Sequence, residues 1–303
     1  MLAWMKKISV FGLLAIAIAG LGLIASHGGL EWALGALLLL IFAHAIILAV
    51  EFVLLSVANR DDPTPAPTLS ELVRAWWGEV LVAPQVFCWQ QPFRSQSQSD
   101  HLPAAGRGKT GIVFVHGFLC NRGFWNPWLK RLRRLDVPFV AVNLEPPFAS
   151  IDELATLIDQ AVQSVEAATA TRPLIVAHSM GGLAARAWLE AYRADSRVCR
   201  VVTIGTPHRG TLLARLAFTT NTRQMRLDGA WLRALAQRER GGYSGFTCFY
   251  SHCDNVVLPA SSATLPGADN RHVAAVAHVH LARQEAVLSE VLRLATDSAR
   301  PGH

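Results

Sequence analysis

Two long apolar runs open the chain. The first covers residues 8–25 and contains no charged side chain, and the second covers residues 30–58. A helix of about 20 apolar residues is long enough to cross a bilayer. The pattern predicts two transmembrane helices within residues 1–58, at about 8–26 and 30–58.

Basic residues flank this pair on its outer sides. Lys6 and Lys7 precede the first run, Arg60 follows the second, and the loop between the runs has no Lys or Arg. Because basic flanks stay on the cytoplasmic side, we expect a bacterial inner-membrane protein whose remaining chain is cytoplasmic, with a periplasmic location as the alternative. The first run also resembles a secretory signal peptide, with an Ala17-x-Ala19 cleavage pattern.

Three ionisable residues interrupt the second run: Glu31, His44 and Glu51. His44 and Glu51 are seven residues apart and therefore share one helical face. They either form a functional pair inside the membrane or have separate structural roles. We favour the second interpretation, with Glu51 near the membrane interface and His44 facing the neighbouring helix.

Residues 59–83 are predicted to connect the membrane helices to a folded domain. Residues 59–68 are rich in proline and polar residues, as in a linker. Residues 69–83 have the spacing of a short amphipathic helix that contains Trp76 and Trp77. This helix either lies at the bilayer surface, where Trp is favoured, or packs against the domain.

Apolar runs and amphipathic segments alternate through residues 84–297, and residues 298–303 form a tail. The predicted strands are 111–116, 137–144, 173–178, 199–206, 246–251 and 271–277. The predicted helices include 127–135, 151–168, 180–194 and 281–295. Continuous apolar strands, each followed by an amphipathic helix, are typical of a parallel sheet that is covered on both faces. The fold class is therefore α/β, with a doubly wound, mainly parallel sheet.

Residues 208–245 interrupt this alternation. They predict one or two helices with apolar residues that we expect to be exposed, such as Leu216, Phe218, Met225 and Trp231. An insertion at this place is either a mobile lid over a cleft or an extra pair of packed helices.

Composition excludes some function classes. The net charge of +6 suits an anionic membrane surface, and the sequence has no aromatic and basic stripe typical of a nucleic-acid-binding protein. Five cysteines form an odd number without metal-ligand spacing, which favours reduced thiols. They are Cys88, Cys120, Cys199, Cys248 and Cys253.

The segment AHSMGG, residues 177–182, is the strongest chemical signal. A buried strand leads directly into Ser179, and a helix follows, which is the setting of a nucleophile elbow. Small residues must flank the serine because the turn is sharp; Gly181 and Gly182 meet this need on one side and Ala177 on the other. Glycine is usual at the position of Ala177, and alanine is still small enough.

A serine nucleophile needs donors for the oxyanion. We expect these to be the backbone N–H groups of Met180, which follows the serine, and of Phe118, in the loop after the first strand. Gly117 lets that loop turn inward. We interpret the neighbouring His116 as structural.

The acid and the base are expected to follow the serine in the order Asp, His. Asp254 lies just past the penultimate strand, and Asp269 is the weaker alternative. His278 lies at the C-terminal end of the predicted last strand, and we prefer it to His280, which would begin the next helix. His278 and His280 could bind a metal, but the sequence has no third ligand at a recognisable spacing, so we predict neither a metal nor a cofactor.

These segments together resemble the lipase and esterase branch of the α/β-hydrolases, similar to bacterial triacylglycerol lipases. The resemblance covers residues 84–297 and rests on FVHGF, AHSMGG, IGTPHRGT, YSHCDNVV and AHVHL. It implies an α/β-hydrolase fold and a Ser179–His278–Asp254 triad that cleaves lipid or other acyl esters at a membrane. A thioesterase or a polyester depolymerase would use the same triad, and a non-catalytic membrane-bound binding module is the alternative outside enzymes.

Overall fold

A six-stranded sheet lies at the centre of the computed structural model, which describes residues 1–239 and 241–297. The strands are β1 (Ile112–Val115), β2 (Phe139–Ala141), β3 (Leu174–His178), β4 (Arg200–Ile204), β5 (Phe246–Tyr250) and β6 (Asp269–His272). Their order is β2-β1-β3-β4-β5-β6, and all neighbouring strands are parallel. The predicted parallel α/β sheet is confirmed.

Helices pack on both faces of the sheet. The helices are α1 (Leu2–Gly28), α2 (Leu30–Ala58), α3 (Leu69–Pro84), α4 (Gln91–Phe93), α5 (Asn126–Arg134), α6 (Ile151–Thr169), α7 (Met180–Tyr192), α8 (Thr220–Gln224), α9 (Ala230–Arg238), α10 (His278–Leu281) and α11 (Glu285–Asp297). One core contains side chains of α6 and α7, such as Val162 and Leu183. The other contains side chains of α5 and α11, such as Leu129 and Val291. A π-helical turn, Gln85–Gln90, joins α3 to α4.

The last strand differs from its prediction at residues 271–277. It ends at His272, and the apolar residues that follow form a loop. Ala275 has a left-handed backbone with φ 56°, which an extended strand does not allow. Val276 and Ala277 are buried all the same, because Val276 packs in the core that contains α5 and α11, and Ala277 packs with Phe52 of α2 and Ala75 of α3. The apolar sequence of this buried loop therefore resembles that of a buried strand.

The membrane prediction is supported for one helix. Helix α1 is long and apolar enough to cross a bilayer. Helix α2 passes the same test only if its parts Leu30–Leu40 and Phe42–Ala58 count as one span, because the helix bends by 44° between them. The second crossing stays a prediction, and a signal sequence near the N-terminus would also have the properties of α1.

Helix α2 packs against the folded domain along its C-terminal half. Phe52 and Leu55 are buried there, and the Trp76 indole N–H of α3 donates to the Ala45 carbonyl at 2.9 Å. His44 Nε2 lies 3.2 Å from the carbonyl oxygen of Val80, and Glu51 accepts a hydrogen bond from the domain. The placement of Glu51 near a membrane interface stays a prediction, and the neighbouring helix that His44 faces is α3. Both residues face the domain because its polar groups satisfy them there.

The insertion between β4 and β5 packs beside α6 and α7. Leu216 and Phe218 are exposed as predicted, but Met225 is 6% exposed and belongs to the core, so its predicted exposure was wrong. The side chain of Gln224 accepts from the Ile151 N–H at 2.8 Å, and the Trp231 indole donates to Asp152 at 2.7 Å. Met225 is buried because these contacts hold α8 and α9 against the start of α6.

Candidate active site

Ser179 lies at a sharp turn between β3 and α7. Its backbone has φ 55° and ψ −129°, a region that non-glycine residues rarely occupy and that marks stored strain. A Cβ at position 181 would lie 2.6 Å from the carbonyl oxygens of Val115 and His116, and one at position 182 would collide with the Thr206 side chain. The need for small residues after the serine thus has a direct steric cause.

The side chains of Asp254 and His278 are in contact. His278 Nδ1 lies 2.9 Å from Asp254 Oδ2, and both residues are buried. The other carboxylate oxygen of Asp254 accepts the N–H groups of Val256 and Val257, each at 2.9 Å. These contacts hold the carboxylate toward the imidazole ring and orient the ring.

The two alternative residues lie elsewhere. Asp269 is an exposed residue of β6 that forms an ion pair with Arg271 at 2.8 Å. His280 is on α10 beside α3, where Gly78 leaves room for its ring. His278 is the first residue of α10 rather than the end of the last strand, because β6 ends six residues earlier.

The electrostatic surroundings of His278 favour its charged form. Burial lowers the pKa of His278, but the Asp254 carboxylate raises it, with further contributions from Glu79 and Glu51, and the net pKa is above the ordinary value. An imidazole that gains a proton and remains beside a carboxylate suits a general base.

Glu79 is a buried carboxylate that the sequence prediction missed. It lies on α3 and is 2% exposed. Its two oxygens accept the N–H groups of Val279 at 3.1 Å and His280 at 2.9 Å, so it caps the short helix that begins with His278. Burial raises the pKa of Glu79 to about 7, although both N–H donors oppose this effect. The helical spacing of α3 carried no signal for this contact.

Helix α2 also reaches the candidate triad. Glu51 Oε2 accepts from the Asn255 amide at 2.6 Å, and Asn255 Oδ1 accepts from the His278 backbone N–H at 3.1 Å. The Asn255 side chain thus connects α2 to the backbone of the candidate base, and Asn255 is the chain neighbour of the candidate acid, Asp254. Glu51 was noticed in the sequence, but its partner lies 204 positions away.

Two further histidines lie beneath the site. His116 accepts the Leu144 N–H at Nε2 and contacts the Gly117 carbonyl through Nδ1, each at 2.9 Å. Burial lowers the pKa of His116 to about 4, so the ring is neutral. The ring of His178 lies 4.6 Å from that of His278, and its Nε2 is 3.2 Å from the His278 carbonyl oxygen. Burial also lowers the pKa of His178 well below its usual range.

The predicted oxyanion donors lie beside the serine. Met180 follows Ser179 at the start of α7, and Phe118 follows Gly117, at which a Cβ would approach the Ser179 Cβ to 2.8 Å. Among the described residues, neither backbone N–H donates to another protein group. Both donors are therefore free for a ligand next to Ser179.

Ser179 and His278 open on the same cavity, which has a volume of about 800 Å³. Its lining is mostly apolar and includes Gly117, Phe118, Phe87 and Val279. Residues 208–245 contribute nothing to this lining among the residues that the structure describes. Residues 1–239 and 241–297, which the structure describes, contain no group of three His, Cys, Asp or Glu side chains that could bind a metal ion.

The fold agrees with comparisons to known proteins. The model of the alpha/beta hydrolase family matches residues 112–299, which is more than half of the chain. The protein therefore belongs to the α/β-hydrolase family. The search of curated proteins found no significant match.

Several solved structures are similar to this one. The mature form of the Bacillus licheniformis lipase BlEst2 is 16% identical, with a TM-score of 0.54 over 62% of this chain and 92% of that one. Its propeptide form is 18% identical, with a TM-score of 0.53 over 61% of this chain and 50% of that one. Aspergillus fumigatus lipase B is 23% identical, with a TM-score of 0.49 over 57% and 48% of the two chains. At these identities, the BlEst2 likenesses establish the fold alone.

Proposed function

We propose that this protein is a membrane-anchored serine hydrolase that cleaves carboxylic esters of hydrophobic acyl substrates. The observation that carries the proposal is the common apolar cavity on which Ser179 and His278 open, with the His278 imidazole hydrogen-bonded to the buried carboxylate of Asp254. A serine on a strained turn, a histidine oriented by a carboxylate and two free N–H donors are the parts that acyl transfer requires.

The reaction has two steps. His278 takes the proton of Ser179 Oγ as this oxygen attacks the ester carbonyl, and the N–H groups of Phe118 and Met180 stabilise the negative charge on the carbonyl oxygen. The imidazolium then gives its proton to the leaving alcohol, and an acyl-serine remains. Water attacks this ester while His278 takes its proton; the bond between the acyl carbon and Ser179 Oγ then breaks, the imidazolium returns the proton to Oγ, and the acid is released.

The membrane anchor is part of the proposal. Helix α1 has the length and composition of a span, and α2 would return the chain to the side on which it began. The basic residues Lys6, Lys7 and Arg60 favour the cytoplasmic face of an inner membrane for the domain. This arrangement would keep the cavity next to lipid.

The first test is hydrolysis of p-nitrophenyl esters by the full chain in detergent, with Ser179→Ala as the matched variant. We expect wild-type hydrolysis and a loss of about 10³-fold or more in kcat for the variant, because the nucleophile is missing. Equal rates for both proteins would refute the assignment of Ser179. If both are inactive on all esters, acyl thioesters are the next substrate class, and inactivity on these too would favour a binding module.

A further inference from the structure

The N-terminal helices form one wall of the candidate catalytic cavity. Helix α1 contributes Leu13, and α2 contributes Leu40, Ala43, Ile47 and Leu48 to the lining that also contains Ser179. The opposite wall comes from the hydrolase domain and from the π-helical turn after α3, which contributes Phe87. A hydrolase domain without these helices would have an open cleft in place of this cavity.

Polarity is distributed unevenly along the cavity. The groups that could react with an ester, namely Ser179 and His278, lie where the domain forms the lining. The wall from α1 and α2 is apolar except for His44 and Glu51, which bond to Val80 and Asn255. The wall therefore offers contact with hydrocarbon, which is stabilised by roughly 25 cal/mol per Å² of buried apolar surface.

The wall continues onto the apolar outer surface of the same helices. Leu13 and Leu40 line the cavity and are also 69% and 48% exposed. Helix α1 is the segment with the properties of a membrane span. The cavity thus extends from the candidate nucleophile to the surface that a bilayer would cover.

We propose that α1 and α2 form the acyl-binding wall of the active site, and that the substrate is a long-chain lipid ester whose acyl chain lies along Ala43, Ile47 and Leu48. This inference rests on the proposed ester hydrolysis and names its substrate class. The helices are then a part of the substrate site as well as an anchor.

Chain-length selectivity tests the wall. In Ala43→Trp, the indole ring would occupy the cavity; Ala49→Trp places the same ring on an exposed position of α2 outside the lining. For the full chain in detergent, we expect the ratio of kcat/KM for dodecanoate to that for acetate to fall at least tenfold in Ala43→Trp, and to stay within twofold of wild type in Ala49→Trp. Equal ratios in all three proteins would overturn the proposal.

Photolabelling tests the position of the acyl chain without relying on turnover. The probe is a methyl ester of a 12-carbon acid with a terminal diazirine, bound to full-length Ser179→Ala and photolysed before peptide mass spectrometry. We expect labels on Ala43 and Leu48 that excess methyl dodecanoate displaces and that Ala43→Trp in the same background abolishes. Ile46 and Val50 are exposed outside the cavity, so labels on them would come from probe dissolved in the detergent. Excess methyl dodecanoate should not displace these labels.

The two measurements separate the failure of this inference from the failure of the proposed function. Ester hydrolysis with displaceable labels only in the hydrolase domain would overturn the acyl-binding wall and leave the hydrolase intact. Displaceable labels on α2 without hydrolysis of any ester would support the wall as a lipid site and refute the hydrolase. If Ala43→Trp fails to fold, the displaceable labels on Ser179→Ala still show whether the acyl chain contacts α2.

Discussion

The backbone of Ser179 has a strained conformation that depends on small neighbouring residues. A left-handed φ at a serine costs free energy, of order 1–3 kcal/mol, which the surrounding packing must offset. Gly181 and Gly182 permit it because the neighbouring carbonyls and Thr206 leave no room for a Cβ. Ala177 is completely buried in β3 and faces no such clash, which explains why alanine serves at this place.

Asp254 and Asp269 are distinguished by their contacts with His278. We expect Asp254→Asn to lower kcat by about 10³–10⁴-fold, because the imidazole loses its orienting carboxylate. Since Asp254 raises the pKa of His278 and the base acts when neutral, the rise of kcat/KM with pH should shift to lower pH in this variant.

Asp269→Asn is the matched control for this change. Asp269 is exposed and paired with Arg271, so kcat of the Asp269→Asn variant should stay within twofold of wild type. The opposite ranking of the two variants in a pH–rate profile would reassign the acid.

Glu79 predicts a dependence of stability on pH. Its pKa rises from 4.5 to about 7 in the folded protein, so the folded state holds a proton in this window that the unfolded chain has released. A raised carboxyl pKa means that the contribution of Glu79 to stability falls as the pH rises through the window. Glutamine does not titrate. The Tm of Glu79→Gln relative to wild type should therefore increase between about pH 5 and pH 8.

The exposed Glu153 at the start of α6 supplies the control for Glu79. Glu153→Gln should leave the difference in Tm constant across the same pH range. A constant difference for Glu79→Gln as well would show that its carboxyl does not titrate in this window.

At the scale of elements, α3 has two functions. Thr68 and Glu71 form a capping box that fixes the start of this helix. Two turns later, Glu79 reaches α10, while Trp76 on the same helix donates to α2. The amphipathic pattern of residues 69–83 correctly predicted a helix, and its packing against the domain is one of the two interpretations that the pattern allowed.

The insertion is fastened to α7 by a buried ion pair. Arg186, which is 1% exposed, donates to both oxygens of Glu239 at 2.8 and 2.7 Å. We expect Glu239→Gln to destabilise the protein by about 3–5 kcal/mol, because it leaves a buried guanidinium without its carboxylate. Thermal unfolding of the full chain measures this loss.

An exposed pair in the same insertion is the control. Arg209 and Asp228 are 3.1 Å apart and more than half exposed, so Asp228→Asn should cost about 0–1 kcal/mol. Equal losses in the two variants would mean that the Arg186 pair does not hold the insertion.

At the scale of the whole molecule, both ends of the N-terminal helical pair contact the domain. The Leu2 N–H donates to Glu145 at 3.0 Å, and the Asn59 side chain accepts the Ala260 N–H at 3.0 Å. A helical pair with both ends on one domain must leave and re-enter the same side of a membrane. The proposed anchor would keep the contact of Leu2 with Glu145, whereas cleavage after Ala19 would remove it.

Topology reporters test this arrangement. Green fluorescent protein fused after residue 303 should fluoresce in a bacterial host, while alkaline phosphatase at the same place should be inactive, because the domain is expected in the cytoplasm. Active phosphatase with a dark fluorescent fusion would place the domain in the periplasm. An N-terminal peptide that includes Leu2 in the mature protein would exclude cleavage.

Local patterns in the sequence predicted the parallel sheet and the strand-to-helix turn at Ser179. Each depends on neighbours a few positions apart, whose steric needs and hydrophobic spacing are visible along the chain. The prediction for residues 271–277 failed because burial alone does not distinguish a strand from a packed loop.

Only the tertiary structure decided which distant groups meet. Glu79 bonds to backbone groups about 200 positions away, and Glu51 bonds to Asn255 at a similar separation. Nothing in the local pattern of either helix specifies such a partner, because the contact arises from how the elements pack. For the same reason, the tertiary structure alone revealed that the predicted anchor also lines the cavity at Ser179.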